Sequence, residues 1–183
     1  MLPWLDGKAE KPTRELLCFK MSDTNFAIRE GDLKFVRVGP DSGLFMRCTE
    51  DGKAYQCLID YHEGGTIGGI LGEGIWKRRG VRNYTFGTSP DLITLNENEA
   101  HPCPVLPDSW KSFWRIGEWN EVRARITGDP PTITTWVNGV QIMQHTEPAS
   151  VHPAKGHLGL QVHGGDKFGG TVRYRNIRVR TLK

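Results

Sequence analysis

The dipeptide Asn138-Gly139, set between Thr132 to Val137 and Val140 to Gln144, constrains this chain more than any other feature. Both residues tolerate positive φ, as the two central positions of a type I′ turn require, so the flanking runs are expected to pair as a tight hairpin. The turn then dictates register. Strict alternation puts Ile133, Thr135, Val137, Val140 and Ile142 on a core face and leaves Thr134, Trp136, Gln141 and Met143 on the other.

The same period of two recurs elsewhere. Glu121 to Ile126 reads as a strand that ends at the breaker Gly128-Asp129-Pro130-Pro131. Asp32 to Val38 and Gly43 to Cys48 read as strands about a Gly39-Pro40-Asp41-Ser42 turn, and Tyr55 to Tyr61 follows Asp51-Gly52. Near the C-terminus, His157 to Val162 and Val172 to Val179 read as two more. In the first of these, Leu158, Leu160 and Val162 are expected on the core side, with His157, Gly159, Gln161 and His163 forming a polar row with room beside it. Between Glu63 and Pro107 the chain is rich in glycine, asparagine and proline without helical period. Long loops are expected there, with strands near Ile67 to Leu71 and Leu92 to Leu95, and a short helical turn near Asp108 to Phe113.

With 22 glycines, 11 prolines and 25% charged residues, the composition suits a turn-rich β protein and argues against a helical or disordered one. The 183 residues suffice for one core, so a single domain over 1–183 is expected, built as an all-β, two-sheet antiparallel sandwich. A net charge of +3, with basic residues scattered and only Lys77-Arg78-Arg79 clustered, argues against nucleic acid and membrane surfaces as partners. Cys18, Cys48, Cys57 and Cys103 lack C-x-x-C spacing, which points to structural thiols over a zinc or redox pair. The first residues lack the basic and apolar regions of a signal peptide, and no segment is long and apolar enough to span a bilayer. The compartment stays open between cytoplasm and export with a trimmed leader, and the oligomeric state stays open too.

Five motifs carry a resemblance: Ser42-Gly43-Leu44-Phe45-Met46-Arg47, Gly117-Glu118-Trp119-Asn120, Trp136-Val137-Asn138-Gly139, Gly156-His157-Leu158-Gly159-Leu160-Gln161 and Arg175-Asn176-Ile177-Arg178. In this order and spacing the chain resembles the 3-keto-disaccharide hydrolase-like family, whose fold is a concanavalin A-like jelly roll, with Trp4-Leu5-Asp6-Gly7-Lys8 similar to the family's opening. The resemblance implies a carbohydrate partner, a glycoside whose ring carries a ketone at carbon 3. That ketone acidifies the hydrogen on carbon 2. A base removes the proton, the enolate expels the carbon 1 substituent, and water adds back, so the paired carboxylates of ordinary glycosidases are not required.

Relatives often carry Glu and Gln two apart where this chain has Gln56 and Leu58, which leaves Asp60 as the carboxylate of that strand. The expected catalytic set is His163 as general base, Asp60 opposite it, and Arg47 and Gln161 steadying the enolate oxygen. Gln56, Trp136, Trp119 and His157 are the expected sugar contacts, with Trp136, or failing it Trp119, as the aromatic wall. Each also has a plainer reading: Arg47 as a surface pair partner, Asp60 as a turn residue, Gln161 as a spacer, His163 as a strand end, Trp136 packed beneath a loop. His62 and Glu63, beside Asp60, would complete a divalent-metal set, the one cofactor this chemistry suggests, and whether one is bound stays open. Two further functions stay open on the same scaffold: a non-catalytic carbohydrate-binding module and a laminin-G-like interaction domain.

Overall fold

The computed structural model of the chain describes residues 36–37, 42–77, 80–88, 92–96, 114–162 and 171–180. All regular structure among them is strand: β1 (Val36–Arg37), β2 (Ser42–Cys48), β3 (Ala54–Ile59), β4 (Ile67–Glu73), β5 (Tyr84–Phe86), β6 (Ile93–Leu95), β7 (Val122–Thr127), β8 (Thr132–Val137), β9 (Val140–Thr146), β10 (His157–Val162) and β11 (Thr171–Val172). They form antiparallel sheets in the orders β10-β2-β3-β4 and β7-β8-β9, with two ribbons, β5-β6 and β1-β11. The protein is an all-β sandwich, as its alternation and turn content predict.

The β8-β9 hairpin forms as expected, Val137 opposite Val140, with Asn138 at φ 46° and Gly139 at φ 85°. Asn138 does more than turn. Its side-chain oxygen accepts from the Glu121 amide at 2.8 Å and its side-chain nitrogen donates to Asn120 Oδ1 at 2.7 Å, tying the loop before β7 to the hairpin tip. The core lies between the two larger sheets. Met46, Tyr55, Cys57 and Ile70 from one meet Ile133 and Met143 from the other, with Leu44, Val122, Ala124 and Ile126 packed around them. Beside this, Ile67, Tyr84, Phe86, Val137 and Ile142 form a second apolar cluster. Thr135 Oγ1 crosses between the sheets to donate to the Gly68 carbonyl at 2.5 Å.

Several expectations are corrected here. Within the expected strand Asp32 to Val38, the described pair Val36–Arg37 forms β1, which pairs with β11, Val36 opposite Val172, and not with β2. The expected strand over Val172 to Val179 stops at Val172, and Ile177 and Val179 are exposed. A register shift between Thr135 and Trp136 turns Met143 inward, although alternation places it outside. A similar shift between His157 and Gly159 leaves Leu158 50% exposed, although it was expected in the core. The helical turn near Asp108 to Phe113 lies outside the described residues.

Candidate functional site

The four-stranded sheet has a second face, opposite the sandwich core. Alternation and pairing assemble it across three strands: Gln161 sits opposite Gly43, Gly43 opposite Leu58, and Phe45 opposite Gln56. Gln56 Nε2 donates to Gln161 Oε1 and reaches the Ser42 carbonyl at 3.4 Å. The pairing passes over Gly43, where a Cβ would lie 2.4 Å from Gln56 Nε2. Glycine is therefore required at this extended position for close approach. At Gly159 and Gln161 the expected open row is in fact enclosed, with Gln56 1% and Gln161 6% exposed and Leu58 and Gly159 buried alongside.

Gln56 Oε1 is buried with no hydrogen-bond donor among the described residues. A buried amide oxygen left so costs about 1–3 kcal/mol, which singles this atom out as an acceptor suited to a hydroxyl. Near the same end of the sheet, Asp60 Oδ1 accepts from the Ser42 amide at 3.2 Å, and the Ser42 hydroxyl donates to the Ile59 carbonyl at 2.9 Å. Asp60 is 6% exposed. It lies just past β3, beyond a register shift between Cys57 and Ile59, so this contact rather than simple alternation fixes its carboxyl. Its charge is felt locally: burial, and then the Asp60 carboxylate, push the Cys57 thiol up to about 12. Tyr174 completes the cluster by donating its hydroxyl to the Gln161 carbonyl at 3.1 Å. Burial holds that hydroxyl well above the usual phenol range, against the opposing hydrogen bonds to Ser42 and to the Gly43 backbone.

Ser42, Asp60, Gln56, Gln161 and Tyr174 are thus brought together. Ser42 and Tyr174 were not anticipated; the only sequence signal for Tyr174 is an aromatic alternating with Arg173 and Arg175, the pattern of a side chain turned inward. His163 lies outside the described residues. His157 is exposed, at the register-shifted start of β10. Among the described residues no three His, Cys, Asp or Glu side chains come together as a metal set; Glu63 is exposed, and His62 Nδ1 sits 2.7 Å from the Glu63 carbonyl.

Arg47 does not join this cluster. Its position is five residues from Ser42, roughly 16 Å along β2. It adopts φ 53°, and its Nη2 donates to the Gly128 carbonyl at 2.8 Å, at the turn between β7 and β8. There it borders a different polar group. His152 Nε2 is 2.6 Å from the Arg47 carbonyl and its ring stands edge-on to Tyr55, Tyr55 meets Trp76, and Trp76 Nε1 donates to Glu147 Oε1 at 2.5 Å. His145 Nε2 is 3.7 Å from the other oxygen of Glu147, and both residues are buried. Burial first, and then the Glu147 carboxylate, push the Tyr55 hydroxyl up to about 12.

Trp136 does not wall the glutamine cluster. Trp136 does face outward from β8, as alternation predicts, with Arg123 Cζ 4.3 Å and Arg125 Cζ 5.5 Å from its ring centroid. That face is on the far side of the sandwich, so both sheets separate Trp136 from Gln56. Trp119 is 43% exposed beneath Arg175, whose Cζ lies 3.8 Å from its ring centroid.

Two comparisons bear on this geometry. A family model described as a 3-keto-alpha-glucoside-1,2-lyase-like domain matches residues 5–180. No curated protein matches the chain.

Proposed function

The chain belongs to the 3-keto-alpha-glucoside-1,2-lyase-like domain family, and from that premise we propose that the end of the sheet marked by Gln56, Gln161 and Asp60 holds a 3-keto-glycoside for elimination across carbons 1 and 2. A base takes the carbon 2 proton, and the electron pair forms the enolate of the carbon 3 ketone. The enolate reforms the ketone as the carbon 1–oxygen bond breaks, and the departing oxygen takes a proton. The enone product is released, or adds water at carbon 1 to complete hydrolysis. His163 is the assigned base, because an unperturbed imidazole pKa near 6.5 suits proton transfer at neutral pH. Asp60, oriented by the Ser42 amide, is the assigned proton partner. Gln161 is the donor assigned to the enolate oxygen, and Gln56 Oε1 the acceptor for a ring hydroxyl. Arg47 has no part in this arrangement, since its guanidinium is engaged at Gly128.

The observation that carries the reading is the orphaned Gln56 oxygen, buried beside Gln161 in a chain of this family. A lectin-like module is the second reading. It is favoured by Gln56 and Leu58 standing where relatives often carry Glu and Gln, since an amide and an alkyl group cannot move a proton at neutral pH. A 3-keto-glucoside with a nitrophenyl leaving group, incubated in chelator and then with added divalent metal, separates the two. Nitrophenolate release that falls about a hundredfold or more in His163→Ala is the expected result. Release undiminished in that variant rejects the base, and binding without release under either condition selects the lectin-like reading.

A further inference from the structure

We propose that the outward face of the β7-β8-β9 sheet is a docking surface for an anionic polysaccharide, a chain bearing carboxylates of the uronic-acid type, distinct from the glutamine site. The register puts Arg123 directly opposite Trp136 and Arg125 opposite Thr134, so both guanidiniums lie against one indole. Arg123 and Arg125 are exposed and Trp136 is half-buried against them. Neither guanidinium is ion-paired or hydrogen-bonded to a described residue. Among the described residues every other outward position on the three strands is threonine or glutamine; of the two carboxylates flanking the strands in sequence, Glu121 stands before β7 at the hairpin end and Glu147, just past β9, is buried against Trp76.

The chemistry of that arrangement favours an anion over a neutral sugar. Two guanidiniums already lie against the indole and compete with a pyranose for it. Stacking instead holds two weakly hydrated, planar donor forks in place, and a carboxylate docking on them meets side chains whose freedom is already reduced. The two arginines alternate on one strand, roughly 7 Å apart, a spacing that serves repeated charges along a polymer. Gln141, Gln144 and Thr146, exposed on β9, supply donors and acceptors for sugar hydroxyls. A nucleic acid would call for a longer basic stripe than two arginines in a chain of net charge +3. The surface would hold the protein on a polymer whether or not the glutamine site turns over a glycoside.

The test is calorimetric titration of the full chain with polygalacturonate, with neutral dextran and with a single-stranded oligonucleotide, at low and at physiological salt, alongside Arg123→Ala/Arg125→Ala. Polygalacturonate is expected to bind more tightly than either other polymer, to weaken with salt, and to lose at least tenfold in affinity in the double variant, whose thermal midpoint stays near that of the parent. Arg123→Lys/Arg125→Lys is expected to recover only part of that loss, since an ammonium keeps the charge but not the stacked fork. Failure of the parent to bind polygalacturonate, equal binding by the double alanine variant, or an oligonucleotide bound as tightly as the polyuronate would each overturn the proposal. Turnover of a small 3-keto-glucoside is read separately and is expected to be unchanged, so the failure of this surface and of the reaction are distinguishable.

Discussion

Replacing Gly43 by alanine introduces one methyl group at the point where two strands hand a side-chain hydrogen bond across a third. An ideal Cβ there lies 2.4 Å from Gln56 Nε2, 2.7 Å from Gln56 Cγ and 2.8 Å from the Cys57 carbonyl oxygen, whereas non-bonded heavy atoms sit comfortably at about 3.5–4.0 Å. The glutamine can swing away, but only by abandoning Gln161 in a buried site. The Cys57 carbonyl cannot, because it belongs to the paired backbone of β3. Overpacking costs about 1–3 kcal/mol and stranding a buried amide about 1–3 kcal/mol more, against a gain of about 0.4–1 kcal/mol from stiffening the unfolded chain. A net loss of about 2–4 kcal/mol follows, which in a chain of this size lowers the thermal midpoint by roughly 5 to 15 °C. Urea unfolding of Gly43→Ala, Gln56→Ala and the double variant measures it. The two changes are expected to be sub-additive by about 1 kcal/mol or more, since removing the Gln56 amide removes part of the clash. A neutral Gly43→Ala, or strict additivity, would refute the close-approach argument.

Glu147→Ala deprives the Trp76 indole of its acceptor and leaves His145 without its carboxylate, so a loss of about 2–4 kcal/mol is expected in urea unfolding, with Glu147→Gln losing less because it preserves an acceptor. Burial pushes Cys48 and Cys57 from 9.0 up to about 12. Their contribution is fully present below about pH 9; above it, unfolded thiols ionise while native ones stay neutral, so stability drains as the pH climbs toward 12. A urea midpoint equal at pH 8 and pH 10.5 would contradict this. For the same reason neither thiol is expected to react with a disulfide reagent in the native protein at pH 8, and rapid labelling of either, mapped by mass spectrometry, would count against their burial. At the hairpin tip, Asn138→Gly keeps the backbone conformation but loses the side-chain bonds to Glu121 and Asn120, whereas Asn138→Ala loses those bonds and strains the backbone as well, so alanine is expected to be the more destabilising by about 1 kcal/mol.

What the sequence determined by itself is local. The hairpin at Asn138-Gly139, the breaker after β7, the strand class of Tyr55 to Ile59 and the outward direction of Trp136 all follow from backbone preferences and a side-chain period of two, which neighbouring residues settle among themselves. The family motifs were equally legible, because they too are short runs. The tertiary structure decided whatever depends on a distant partner. Gln56 and Gln161 are 105 residues apart, and only the order β10-β2-β3 makes them neighbours across Gly43. Register shifts at Thr135, His157 and Cys57 turned Met143 inward, Leu158 outward and freed Asp60 from strict alternation, because a bulge is fixed by the strand opposite it and leaves no mark of its own on the strand that carries it. Arg47, in the same short motif as Ser42 and Gly43, went to the Gly128 turn since a long side chain at the end of a strand takes whichever carbonyl the facing sheet brings to it. Alternation assigns a residue to one side of its own strand; which of the sandwich's faces that side becomes is settled only when the sheets stack, and that is why Trp136 and Gln56, both turned away from the core, ended on opposite sides of the molecule.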